Sequence, residues 1–106
     1  MNSDSQVKEL VYQAVERGNS HDTGRAILER AEQWGATVIE LPKQELSRDA
    51  YYDGFHAPTR YKIVTPGGQY THVYWQPRRW TKEPDTDGLW YGRATQWEPP
   101  RGSPAP

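Results

Sequence analysis

Three histidines, His21, His56 and His72, are the residues of this 106-residue chain best suited to moving protons near neutral pH. They are dispersed, and none stands at metal-ligand spacing from an Asp, Glu or second His on one element. The chain has no cysteine, which removes thiolate metal sites, disulfides and a Cys nucleophile. No metal and no cofactor is expected, because Gly67-Gly68 is a hairpin signal and no nucleotide-binding glycine loop is present. His21 lies beside a helix cap and is expected in solvent. His56 lies in a Gly/Pro turn, three residues after Asp53. His72 alternates along a strand with Tyr70 and Tyr74. A histidine, a tyrosine and an arginine can assemble an acid–base site of the small-ribonuclease kind.

A larger group is basic and aromatic. Arg60, Lys62, Arg78, Arg79, Trp80, Lys82 and Arg93 fall in the second half of the chain, interleaved with Tyr and Trp. Trp, Tyr and Arg dominate the energetics of protein–protein interfaces. The same residue types stack bases and hold phosphates. Acidic residues at 83, 85 and 87 weaken the nucleic-acid reading. So does the lack of an RNP-like sequence, a zinc spacing or a KH-type glycine loop. The first expectation is a non-enzymatic binding protein, inhibitory or accessory in role, whose partner is another protein. The contact surface would be the aromatic, basic part of the sheet and the loop 78–88, with Trp80 as anchor. A nucleic-acid-binding domain using the same surface comes second, and a His-dependent ribonuclease third. A winged-helix mode is disfavoured, since a recognition helix carries a basic surplus and both clear helices here are acidic.

The elements that must position these residues are legible from periodicity. Residues 3–17 form an amphipathic helix, with Val7, Leu10, Val11, Ala14 and Val15 on one stripe and Gly18 closing it. A second helix follows a cap at Ser20 or Asp22. Its apolar face is Ile27, Leu28, Ala31 and Trp34, and Gly35 ends it. Ala36 to Leu41 is a short strand closed by Pro42. Residues 43–52 fit either a third helix or an irregular connection. The strongest signal is Tyr61 to Trp75, YKIVTPGGQYTHVYW around Pro66-Gly67-Gly68, the heart of a hairpin over 59–76. A two-residue turn there puts Tyr61 and Ile63 on one face with Tyr70, His72 and Tyr74. Leu89 to Trp97 reads as the last strand. Helices followed by strands predict an α+β fold, with two N-terminal helices on one face of a mostly antiparallel sheet of about four strands. Residues 1–98 form the domain, and 99–106 a disordered Pro-rich tail.

Charge and composition set the rest. Net charge is −1, but it is unevenly spread. Residues 1–54 hold 6 Lys/Arg and 10 Asp/Glu, and residues 55–106 hold 7 and 4. An acidic helical half therefore precedes a basic aromatic half, a dipolar arrangement that bears on partners. Aliphatic residues are few, so Trp and Tyr must supply much of the buried area. No apolar run reaches the length of a membrane span and no signal peptide is recognisable. The expectation is a soluble cytoplasmic protein with no membrane partner. Small Cys-free domains without catalytic motifs are common among phage and mobile-element proteins, which makes that origin the compositional expectation.

Overall fold

A computed structural model describes residues 3–16, 18–52, 56–78 and 80–100, with residues 51 and 52 described by their backbone alone. The elements in chain order are α1 (Ser3–Ala14), α2 (His21–Gln33), β1 (Thr37–Glu40), α3 (Arg48–Tyr52), β2 (Thr59–Val64), β3 (Tyr70–Pro77) and β4 (Gly88–Gly92). The four strands form one sheet in the order β1-β2-β3-β4, every neighbouring pair antiparallel. The fold is α+β, as the run of helices before strands predicts. No helix among the described residues is long and apolar enough to cross a membrane.

The two main helices form for the reasons their sequences give. Val7, Leu10, Val11 and Ala14 are the buried stripe of α1. Ser20 caps α2, its hydroxyl accepting from the Thr23 N–H at 3.1 Å. The far end closes as a Schellman motif around Gly35, which has φ +98°. Ala36 N–H donates to Ala31 C=O and Gly35 N–H to Glu32 C=O. Trp34 departs from expectation. It is 41 % exposed rather than core, because it is the residue at which α2 leaves helical geometry and turns off the buried stripe. Residues 43–47 are irregular, and only the short α3 follows them.

Both helices cover the same face of the sheet. Their stripes meet Tyr61, Ile63, Val73, Trp75 and Trp90, and all these side chains are buried. Trp75 and Tyr61 are the largest fully buried side chains, so indole and phenol carry the area that aliphatics would carry elsewhere. Trp75 Nε1–H donates to Pro84 C=O at 2.7 Å, and Trp90 Nε1–H donates to Ser20 C=O at 2.9 Å. Each indole thus buries its rings and satisfies its polar edge. Gly24 lets α2 come close enough for this, since a Cβ there would collide with the Trp90 indole.

The hairpin register corrects the face assignment drawn from a two-residue turn. Thr65 N–H donates to Gln69 C=O at 2.8 Å, and Gly68 N–H to Thr65 C=O at 2.9 Å. The connection is the three residues Pro66, Gly67 and Gly68, with Gly68 at φ +92°. The strands pair Tyr61 with Val73, Lys62 with His72 and Val64 with Tyr70. Tyr61 and Ile63 therefore share the covered face with Thr71, Val73 and Trp75. Tyr70, His72 and Tyr74 point the other way. One extra loop residue is enough to do this, because side chains alternate with period two. Asp4, in the first turn of α1, fastens the hairpin tip. Its carboxylate accepts from Thr65 Oγ1 at 2.9 Å and from Gly67 N–H at 3.0 Å.

The last strand is also shorter than expected. β4 ends at Gly92, and a turn follows in which Gln96 N–H donates to Arg93 C=O at 2.8 Å. Thr71 Oγ1–H reaches Arg93 C=O and Gln96 C=O from inside, holding that turn against β3. The chain then returns to the sheet. Glu98 pairs with Tyr70 through N–H···O bonds of 2.8 and 3.1 Å. Of the expected Pro-rich tail, residues 101–106 lie outside the described residues, as do Arg17 and the turn at 53–54.

Candidate functional site

The sheet face turned away from the helices has its own composition. β3 runs down its middle with Tyr70, His72 and Tyr74. β2 contributes Arg60 opposite Tyr74 and Lys62 opposite His72, and β4 places Tyr91 opposite Tyr74. Tyr74 and Tyr91 stack, with ring centroids 5.0 Å apart and planes 15° from parallel. Tyr70 meets His72 edge-on at 6.0 Å. Lys62 Nζ lies 4.7 Å from the centroid of the Tyr70 ring, a cation–π contact. At the two outer strands Ile39 and Leu89 are exposed. No carboxylate stands among the side chains that β1 to β4 direct to this face.

At one end of the face lies a cleft of about 530 Å³. His72, Tyr74, Tyr91, Arg93, Gln96 and Glu98 line it. The bridge to Tyr70 brings Glu98 there, since residues paired across strands point to the same side. Among the described residues of the cleft Glu98 is the one carboxylate. Arg93 reaches Gln96 Oε1 by a single long contact of 3.5 Å. Burial, with the neighbouring Tyr74 hydroxyl adding to it, pushes the Tyr91 phenol above its ordinary value. Tyr91 is thus a neutral hydrogen-bond donor at physiological pH.

The basic residues expected to act together are divided by the structure. Lys62 and Arg60 stand on the open face, and Arg93 lies just beyond β4 in the cleft. Arg60 is partly committed, because its Nη2 donates to Pro42 C=O. Its Nε is buried without a hydrogen-bond partner. Arg78, Trp80 and Lys82 belong to the loop after β3, and Arg79 lies outside the described residues. Arg78 is paired with Asp87 at 2.8 Å. Trp80 is 71 % exposed. The loop is tied to the body of the protein by the Trp75 bond to Pro84 and by His56 Nε2, 3.0 Å from Thr81 C=O.

His21 is not in solvent as its place beside a cap suggests. Its ring stacks on Trp90 at 5.5 Å and meets Trp75 edge-on at 5.2 Å, and Nε2 lies 3.4 Å from the Tyr61 hydroxyl. The cause is the position of the cap itself: Ser20 is fastened to the Trp90 indole, so the next side chain is delivered between the two tryptophans. Burial pushes the Tyr61 phenol up to about 12, with the Arg25 guanidinium opposing this shift and the Glu40 carboxylate adding to it. Arg25 lies over the Tyr61 ring at 5.0 Å instead of serving a helical pair with Glu29. No cluster of His, Asp and Glu able to hold a metal ion occurs among the described residues.

Sequence reasoning missed Glu98 and the Arg93–Gln96 turn. Glu98 lies beyond the strand expected to end at Trp97, and no local signal marks its pairing with Tyr70, 28 residues earlier. No protein-family model, no curated protein and no solved structure matches this chain.

Proposed function

We propose that this chain is a binding domain that takes single-stranded nucleic acid on the open face of its sheet. One observation carries the reading. Tyr70, Tyr74 and Tyr91 are displayed there beside Lys62, Arg60 and Arg93, with no strand carboxylate among them. Aromatic side chains on a sheet give bases a surface to stack on, worth about 1–3 kcal/mol per base. Neighbouring cations hold the phosphates that connect those bases. The exposed acidic residues Glu9 of α1, Glu16 just after it, and Asp22, Glu29 and Glu32 of α2 belong to the helical layer. A nucleic-acid strand is therefore repelled from the helices and drawn to the sheet despite the net charge of −1.

Fluorescence anisotropy with labelled single-stranded oligonucleotides tests this. Tyr74→Ala should lower affinity by about 1–3 kcal/mol if one base stacks there. Lys62→Ala should weaken binding of all sequences alike and reduce the slope of log K against log salt by roughly 0.7. Absence of binding at low salt, or binding indifferent to both substitutions, would overturn the reading. A second reading, a protein partner held by the loop 78–87, is favoured by the 71 % exposure of Trp80 alone. Under that reading Trp80→Ala, and not Tyr74→Ala, removes a nuclease-resistant partner from a pull-down.

A further inference from the structure

We propose that the cleft at the end of the open face cleaves the RNA strand bound there, by attack of a ribose 2′-hydroxyl on its own phosphodiester; this rests on the nucleic-acid reading above. Cleavage of this kind needs three things around one phosphate. They are a base for the 2′-hydroxyl proton, an acid for the departing 5′-oxygen and a cation for the charge that grows on the phosphoryl oxygens. The cleft supplies one of each: the Glu98 carboxylate, the His72 imidazole and the Arg93 guanidinium.

Their placement follows from the backbone. Glu98 is hydrogen-bonded opposite Tyr70, and His72 is two residues along the same strand on the same face. Diagonal neighbours of this sort stand about 7–8 Å apart, which leaves room for a phosphodiester between the two side chains. β3 holds His72, the two backbone bonds to Tyr70 hold Glu98 beside it, and the Thr71 hydroxyl fixes the turn that carries Arg93 by bonding the carbonyls of Arg93 and Gln96 at 3.2 and 3.1 Å. Tyr74 and Tyr91 form the cleft wall, where the base next to the cut is held.

The step balances without any co-reactant. Glu98 takes the 2′-hydroxyl proton as O2′ forms its bond to phosphorus. The P–O5′ bond breaks as the His72 imidazolium gives its proton to O5′. The products are a 2′,3′-cyclic phosphate and a 5′-hydroxyl, and DNA, lacking the nucleophile, is held but not cut. From sequence alone His72 stands apart from any carboxylate in its own strand. The Tyr70–Glu98 bridge is what makes it half of a pair.

The experiment uses the purified full chain with a labelled single-stranded RNA and the same oligonucleotide carrying a single 2′-deoxy residue. Binding is read by anisotropy, and products are read by gel and mass. The expected result is cleavage of the RNA to cyclic-phosphate ends, with no cut at the deoxy position. Glu98→Gln keeps the backbone bridge and should lower kcat at saturating RNA by about 100-fold or more. His72→Ala should do the same. RNA that is bound and stays intact overturns the cleavage proposal alone. RNA that is not bound overturns it together with the binding reading. Cleavage that persists undiminished in both variants, each checked for folding by circular dichroism, also overturns it.

Discussion

The two faces of the sheet are built from the same kinds of residue and put them to opposite uses. On the covered face a histidine, His21, is enclosed by Trp75, Trp90 and Tyr61. On the open face a histidine, His72, stands among Tyr70, Tyr74 and Tyr91. The difference lies in the strands' partners. Where α1 and α2 bring aliphatic stripes, the aromatic rings close a core and each indole N–H is satisfied by a backbone carbonyl. Where no helix among the described residues covers the sheet, the rings are phenols, with Lys62 over the Tyr70 ring. Aromatic content alone does not say which rings are core; the parity of the hairpin does.

The largest test of this contrast uses two adjacent residues. Trp75→Ala should cost about 3–5 kcal/mol, since it empties the largest fully buried side-chain site and orphans the Pro84 carbonyl. Tyr74→Ala, one residue earlier on the other face, should cost about 1 kcal/mol, the worth of its stack on Tyr91. Urea denaturation of both variants measures the difference. Equal losses would mean that the open face is packed like the covered one.

A smaller effect sharpens the covered side. Tyr61 ionises at about 12 in the folded protein, against 10.0 ordinarily, chiefly because burial disfavours the phenolate. The folded state thus binds the proton more tightly than the unfolded state. The stability this contributes is complete below pH 10 and is lost as pH rises from 10 to about 12. Equilibrium denaturation across that window should show an alkaline decline, and Tyr61→Phe should reduce it. The smallest expected effect is that of Trp80→Ala on stability, about 0.5 kcal/mol or less for an exposed loop side chain. A larger loss in thermal melting would show that Trp80 belongs with the buried indoles and not with a contact surface.

The helices were legible in the sequence because their signals are local. The Val7–Leu10–Val11–Ala14 stripe, the Ser20 cap and the glycines at 18 and 35, both with φ +98°, are each readable within one or two turns of chain. The existence of the hairpin was legible for the same reason. Its parity was not, since Pro66-Gly67-Gly68 accommodates either a two-residue or a three-residue loop and the choice moves every ring to the other face. The basic residues were legible as a group. Their division between the open face and the loop after β3 was not, because Arg78 is claimed by Asp87 and Arg60 by Pro42 through contacts that no spacing announces. Glu98 was the least legible of all, being placed by a bridge to a strand that begins with Tyr70.

The placement of the indoles has a spectroscopic consequence. Trp75 and Trp90 are buried under the helices, Trp97 packs against the same core, and Trp34 and Trp80 are exposed at a helix end and in a loop. None of them stands on the strand face that carries Tyr74 and Tyr91. The share of the tryptophan emission that comes from Trp75, Trp90 and Trp97 is therefore a gauge of the packed layer, shifting to the red when the helices leave the sheet. An occupant of the open face touches tyrosines and leaves that signal where it was, so folding and occupancy can be followed in one sample as two separate optical channels.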